Sequence, residues 1–483
     1  MNREEERKNR YMTTNEGEPI YNDTDVLTVG EDGPILLKDQ QFIDKIAHIT
    51  RERIPTRVVH AKGSGAFGYF KLYNSMEKYT KADVFTNLKE TTPIAVRFSL
   101  VTGEVGSPET SRDGRGFAIK FYTREGNYDI VGLDFPVFFI KDAIRFPDMV
   151  HAFKNFPANN LADINTFWDF IAQQPEAMHV ILYLFSDRGT RKSYIKMPGF
   201  GINTYQWVNK AGNKYYVKYH WYPLAGDETI SAKEATRLAG ENPDVATREL
   251  YGVLDKGEKV YYDLYVQIMD PLMANVLPYN PLDPTKMWSE EDFPLEFVGK
   301  LVLTDSPRNF FEEVEQLAFS PANLVPGIEV SNDKLLQGRL FAYHDAQRYR
   351  IGTNFQQLDV NKPIKKVINN ERDGQMQIEK HEGLAYSPNI LQDNQPRVHP
   401  DKYPKVKEYV RGYEVRKPMS TNGEDDFVQA GRFFNSLPCE ERETIIKNLS
   451  DSLSTVDRSV SSVILKYLDN VDEILGREVR ARI

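Results

Sequence analysis

The chain has 483 residues, 40% of them hydrophobic and 27% charged, which is room for a large core in a chain of ordinary water-soluble composition. A net charge of −9 and a pI near 5.6 exclude a nucleic acid or an anionic membrane surface as the partner the chain is built for. A single cysteine, Cys439, excludes an intramolecular disulfide framework and a thiolate metal cluster, and it fits a reducing compartment.

The stretch Met1–Lys8 is charged and no apolar run follows it, so no secretory leader is expected, and no segment reaches the length of a membrane-spanning helix. A cytoplasmic protein is the resulting expectation. Residues 1 to about 40 are polar and read as an arm without a core of its own. From Asp39 to Arg53, Phe42, Ile43, Ile46 and Ile49 fall at helical spacing, and Pro55 ends the run. Arg57 to Phe70 then reads as a strand-like run of Arg57, Val58, Val59 and His60, broken by Gly63, Gly65 and Gly68, where something must approach the backbone closely. The spacing resembles a phosphate cradle, but no amphipathic helix follows it, as a dinucleotide site requires. On these residues alone, His60 fits a structural role as well as a catalytic one.

Ile94, Val96, Phe98 and Leu100 alternate with Ala95, Arg97, Ser99 and Val101, which places Arg97 and Ser99 on one face of a strand. Similar alternation spans Lys214 to Trp221 and Tyr262 to Ile268, with helices expected over Asp163–Gln174 and Ser231–Leu238. Strands this close together suit an antiparallel barrel of α+β class better than a βαβ series. From about 300 to 425 the pattern loosens into loops, with one helix near Leu336–Ala346. From Glu424 onward the period is helical again, and a small terminal bundle is expected. The 26 Tyr and 27 Phe are enough to fill a core and also to line a large planar cofactor.

The segment 57–70 resembles the distal-histidine motif of the small-subunit monofunctional haem catalases. Four further segments match in order: Arg97-Phe98-Ser99, Asp113-Gly114-Arg115-Gly116-Phe117, Pro136-Val137-Phe138-Phe139 and Arg339-Leu340-Phe341-Ala342-Tyr343. The resemblance implies an antiparallel eight-stranded β-barrel. It divides the chain into an N-terminal arm and first helix (1–55), a barrel haem domain (56–300), a wrapping segment with the proximal ligand (301–424) and a C-terminal helical domain (425–483). It also implies haem b, a homotetramer, and disproportionation of hydrogen peroxide to water and dioxygen.

By the same resemblance Tyr343 ligates iron as tyrosinate, helped by Arg339 one helical turn earlier. Arg57, Arg97 and Arg350 meet the haem propionates, which suits the planar fork of a guanidinium. Val59, Phe138 and Phe146 contact the porphyrin or its channel, and Asp113 belongs to that channel. His60 takes a proton from one peroxide oxygen and returns it to the other, while Ser99 fixes its tautomer.

Three departures from the family stand out. Leu133 follows Gly132 where the family has an asparagine that helps hold peroxide, and it has no donor or acceptor unless Asp134 or a water substitutes. Asn203 replaces a histidine behind the proximal ligand. His179, Ser186 and Arg188 match an NADPH site, but Tyr222, Pro198 and Glu290 do not, so weak or absent NADPH binding is expected. The alternatives to a slowed catalase are a haem enzyme acting on organic hydroperoxides and a haem-binding protein with little turnover.

Overall fold

The computed structural model describes residues 11–399, 412–416 and 426–483. The charged stretch Met1–Lys8 and the expected boundary at 424/425 lie outside the described residues. Two compact units are Met1–Thr56 and Arg57–Ile483. In the first, helix α1 (Gln40–Ile49) is capped by Asp39, whose side chain accepts from the Phe42 N–H. The helix lies inside the expected range, yet it buries none of its residues. Among the described residues, the rest of this unit is turns pinned by two isolated bridges, Thr13↔Pro19 and Thr28↔Ile35.

The second unit is built on one antiparallel sheet of ten strands. They are β1 (Gly63–Leu72), β2 (Thr91–Leu100), β3 (Arg115–Thr123), β4 (Gly126–Leu133), β5 (Gly199–Phe200), β6 (Tyr205–Val208), β7 (Lys214–Pro223), β8 (Val260–Met269), β9 (Glu296–Asp305) and β10 (Ile328–Val330). β8 pairs with both β7 and β9, so β1-β2-β3-β4-β5-β7-β8-β9 closes into an eight-stranded barrel. β6 and β10 extend from the outside of β7. The alternation around Phe98 now has its cause. Phe70, Val96, Phe98, Phe117, Phe121, Trp221 and Tyr262 point inward and fill the barrel, with Phe98 stacked on Tyr194 at 5.2 Å. A filled interior sends any binding site to the outer face.

One local expectation is corrected. Residues 57–62 form no strand; β1 begins at Gly63 and contains the glycines. What approaches them is neighbouring chain. A Cβ at Gly63 would lie 2.3 Å from the Phe98 carbonyl oxygen, one at Gly68 would lie 1.9 Å from that of Val302, and one at Gly65 would lie 2.7 Å from the Val314 side chain. The β-branched pair Val58-Val59 misled the reading, because the pairing edges belong to residues that a propensity scale would put last.

Helices cover the sheet: α2 (Asp83–Thr86), α3 (Phe146–Phe153), α4 (Ile164–Ala172), α5 (Met178–Phe185), α6 (Ala232–Glu241), α7 (Val245–Leu254) and α8 (Lys334–Arg350). α8 is longer than the expected Leu336–Ala346 because Asp333 caps it, accepting from the Leu336 N–H at 3.0 Å. The terminal helices α9 (Val428–Ser436), α10 (Cys439–Leu453), α11 (Arg458–Val471) and α12 (Glu473–Arg480) do not enclose a separate core. Phe434, Leu449, Ile464 and Leu475 pack in one cluster with Trp168 of α4 and Ile181 of α5.

Candidate active site

The strand register assembles one wall of the site. Gly63 pairs with Ser99, Ser99 with Gly116, and Gly116 with Leu133, a row running across β1, β2, β3 and β4 on the outer face. The glycines on either side of Ser99 leave a hollow, and the imidazole of His60 lies in it. A Cβ on Gly116 would sit 2.3 Å from Ser99 Oγ and 2.7 Å from His60 Nδ1. His60 adopts φ 65°, in the left-handed region, and its N–H donates to the Val101 carbonyl at 3.0 Å. Nδ1 lies 2.9 Å from Ser99 Oγ, so with Nδ1–H donating, Nε2 keeps its lone pair for the cavity that His60 lines. Burial first, then the charges of Arg97, Arg339 and Arg57, push this imidazole down to about 3. Burial and the surrounding cations thus favour the neutral imidazole.

The opposite wall is α8. Arg339 and Tyr343 are four residues apart and share a face. Arg339 Nη2 donates to the Tyr343 hydroxyl at 2.7 Å and to the Val131 carbonyl at 2.9 Å, and Nη1 donates to Asn203 Oδ1 at 2.5 Å. Asn203 Nδ2 in turn donates to Asp333 Oδ2 at 2.7 Å. Arginine can only donate and the carboxylate can only accept, so the orientation of the Asn203 amide is forced. The buried charge of Asp333 thus reaches Arg339 through one amide, and Arg339 presents a cation to the phenol oxygen.

Between the two walls lies a cavity lined by His60, Arg339 and Tyr343 and otherwise by apolar groups, among them Val59, Phe138, Ala143 and Phe146. Arg57 and Arg350 gather on Glu315, and Arg97 lies against the backbone of His60. Arg57 Nη2 donates to the carbonyls of Val314, Glu315 and Leu317 at 2.8, 3.0 and 2.9 Å. Arg350 Nη1 donates to the Glu315 carbonyl at 2.5 Å, and both side chains lie near the Glu315 carboxylate, at 3.3 and 3.5 Å. Arg97 donates to the His60 and Ala61 carbonyls at 2.8 and 3.2 Å, and its Nε is buried without a partner. Burial, followed by the nearby Arg57, lowers Arg350 to about 9. Three guanidiniums against one carboxylate leave a net charge of +2, which a planar dicarboxylate macrocycle would neutralise. A phenol facing an imidazole across an apolar slot is a donor set for a haem iron. The residues fit that group.

Sequence reading missed Glu315 and the role of Gly116. Glu315 ends a single π turn, Phe311–Glu315, and a π turn is the kind of irregularity that marks functional sites. Asp134, the neighbour of Leu133, is engaged by other groups. Its Oδ1 accepts from the Arg115 N–H at 2.6 Å and its Oδ2 from Arg191 Nε at 3.1 Å, while burial raises the carboxyl to about 6. Leu133 itself packs with Val101 and Ile202 against Phe138 and Phe200. The Asp113 carboxylate accepts from the N–H of Thr102 and of Gly103 at 2.7 and 3.3 Å.

Of the residues matched to a dinucleotide site, Ser186 and Arg188 lie at the end of α5 and have partners there, while His179 lies in its first turn. Ser186 Oγ donates to the Tyr183 carbonyl at 2.7 Å, and Arg188 Nη1 donates to Glu441 Oε2 at 2.8 Å. His179 is buried beside Tyr183 and Phe433, whose rings stack at 4.2 Å.

A closed barrel thus carries a tyrosine and a histidine in the lining of one cavity, an arrangement that suits a haem-type redox site. The family described as Catalase matches residues 13–393, and the family described as Catalase-related immune-responsive matches residues 420–483. Catalase-A of Dictyostelium discoideum is 45% identical over 474 residues, covering 96% of this chain and 94% of that protein. Catalase-1 of Arabidopsis thaliana is 43% identical over 476 residues, covering 98% and 96%. The solved structure of catalase A from Saccharomyces cerevisiae superposes with a TM-score of 0.94 at 37% identity, covering 98% of this chain and 99% of that one. The chain belongs to the catalase family, enzymes that decompose hydrogen peroxide at a haem.

Proposed function

We propose a haem b catalase in which Tyr343 ligates the iron, His60 moves the proton, and Arg57, Arg97 and Arg350 hold the propionates. One observation carries this reading. His60, held by Ser99, and the Arg339–Tyr343 pair line one cavity, and Arg97 of the buried arginine cluster donates to the His60 carbonyl. Haem, when bound, supplies two-electron redox chemistry. The protein's part is positional: Arg339 stabilises negative charge on the Tyr343 oxygen, and Asn203 holds Arg339. Nε2 of His60 takes a proton from the near oxygen of a peroxide and returns it to the far oxygen, so that water leaves. A second hydrogen peroxide gives up two electrons and two protons and leaves as dioxygen. The test is oxygen evolution from hydrogen peroxide at a Clark electrode, expressed per haem. No oxygen from haem-loaded protein would refute the reading.

The low position of His60 predicts a rate per haem that stays flat from about pH 9 down to about pH 5, because the accepting form does not change in that window. A pH profile with an inflection near 6.5, the ordinary value for histidine, would contradict this. We also propose that NADPH binds weakly or not at all, since Arg188 is engaged by Glu441, and Glu290 would oppose a 2′-phosphate. Calorimetry showing micromolar affinity would refute this. A homotetramer is supported by α1, which buries none of its residues, and by the exposure of Phe341, Tyr349, Ile390 and Leu391. Sedimentation should show four subunits. The lone cysteine supports a cytoplasmic setting.

A further inference from the structure

Two of the three clustered arginines are bound to one short turn, and the fold brings that turn to them by a specific route. Val314 seats the π turn Phe311–Glu315 on β1, its side chain filling the space where a Cβ on Gly65 would lie 2.7 Å from it. Gly65 pairs with Arg97 of β2, so the turn resting on this glycine ends within electrostatic reach of that guanidinium. Arginine then caps the carbonyls at the end of the turn. Arg57 Nη2 donates to those of Val314, Glu315 and Leu317, and Arg350 Nη1 donates to that of Glu315. Arg350 is held from α8 as well, where its Nε and Nη2 donate to Gln347 Oε1 at 3.2 and 2.9 Å.

The Glu315 carboxylate is divided between the two. Its Oε2 lies 3.3 Å from Arg57 Nη1 and its Oε1 lies 3.5 Å from Arg350 Nη1, with the arginine side chains only 10% and 4% exposed. Arg97 adds a third cation, whose Nε is buried without a partner. Guanidiniums this close in a low dielectric repel one another. We infer that Glu315 is an internal counter-anion: it lets the arginine cluster fold before haem is loaded, and it leaves a charge of +2 for the two haem carboxylates to complete. The inference rests on the haem reading above and gives Glu315 a positioning role within it.

The electrostatic self-energy of a compact cluster rises with the square of its charge. Two carboxylates take the native cluster from +2 to neutral, which lowers that square by about four units. Without the Glu315 charge they take it from +3 to +1, which lowers it by about eight. The charge at 315 therefore stabilises the empty site and loosens the hold on haem. A residue needed only to keep the arginines in place would act in the opposite sense, since its loss would let haem go.

The test compares Glu315→Gln, which keeps an acceptor and removes the charge, with Glu315→Asp, which keeps the charge. Transfer of haem from the loaded protein to excess apomyoglobin is expected to be about ten-fold slower in Glu315→Gln, the scale of one partly buried charge contact, and within about two-fold of native in Glu315→Asp. The midpoint potential of the bound haem is expected to move to a more positive value in Glu315→Gln alone, because losing an anion disfavours the more oxidised iron. Full-length chain made without haem is expected to unfold at a lower urea concentration in Glu315→Gln than in the native protein. Faster haem loss from Glu315→Gln, or an unchanged potential, overturns the inference and leaves the haem reading standing. A Glu315→Gln chain that folds only when haem is supplied supports the inference, and one that fails to fold even with haem overturns it. Native protein that retains haem dimethyl ester as firmly as haem overturns the propionate contacts and this inference with them.

Discussion

A His60→Ala protein is expected to bind haem normally and to release oxygen from hydrogen peroxide about 10² to 10⁴ times more slowly. The size of the loss follows from what the structure provides for this one ring. Ser99 holds Nδ1 at 2.9 Å, which fixes the nitrogen left for substrate, and burial beside three guanidiniums keeps the ring neutral. No other group on that wall can take a proton, since the cavity lining there is aliphatic or aromatic. The carboxylates of Asp113 and Asp134 are both engaged by backbone N–H groups. Oxygen evolution per haem, with an unchanged haem spectrum as the control for binding, checks the expectation. A loss smaller than about ten-fold would mean that water moves the proton and that His60 only shapes the pocket.

The parts of this site that were legible in the sequence are those encoded by local spacing. Arg339 and Tyr343 lie one helical turn apart, and an N-capping Asp333 stands six residues before Arg339, so the proximal pair is written into α8 itself. Alternation likewise placed Arg97 and Ser99 on one face of β2. What the chain hides is register. Gly63, Ser99, Gly116 and Leu133 form one row only because four strands pair with particular offsets, and no periodicity within a strand carries that information. The role of Gly116 as the floor beneath His60 was therefore invisible, and so was the placing of Leu133 two positions along the row from Ser99. Glu315 was hidden for a different reason. A glutamate in an irregular loop looks like a solvated charge until Arg57 and Arg350, distant in sequence, fold onto it.

Leu133→Asn is expected to raise the rate with hydrogen peroxide roughly five- to hundred-fold, the equivalent of one recovered hydrogen bond of about 1 to 3 kcal/mol in the transition state. The gain depends on position. Leu133 is next to Gly116 in the row, and the His60 ring rests over Gly116, so an amide at 133 would face the same peroxide as Nε2. The site has room for the change, because asparagine has the same number of side-chain heavy atoms as leucine and a smaller volume. It is not prepared for the change in polarity. Val101, Ile202 and Phe138 surround Leu133 and offer the amide nothing, so when no substrate is bound the new group is buried without partners. The variant should therefore be faster with hydrogen peroxide and also less stable by about 1 to 3 kcal/mol, which urea unfolding of the haem-loaded protein would measure. The two effects share one cause. A polar group that helps only when peroxide is present costs stability when it is absent, and leucine at 133 trades hydrogen-peroxide turnover for a well-packed wall.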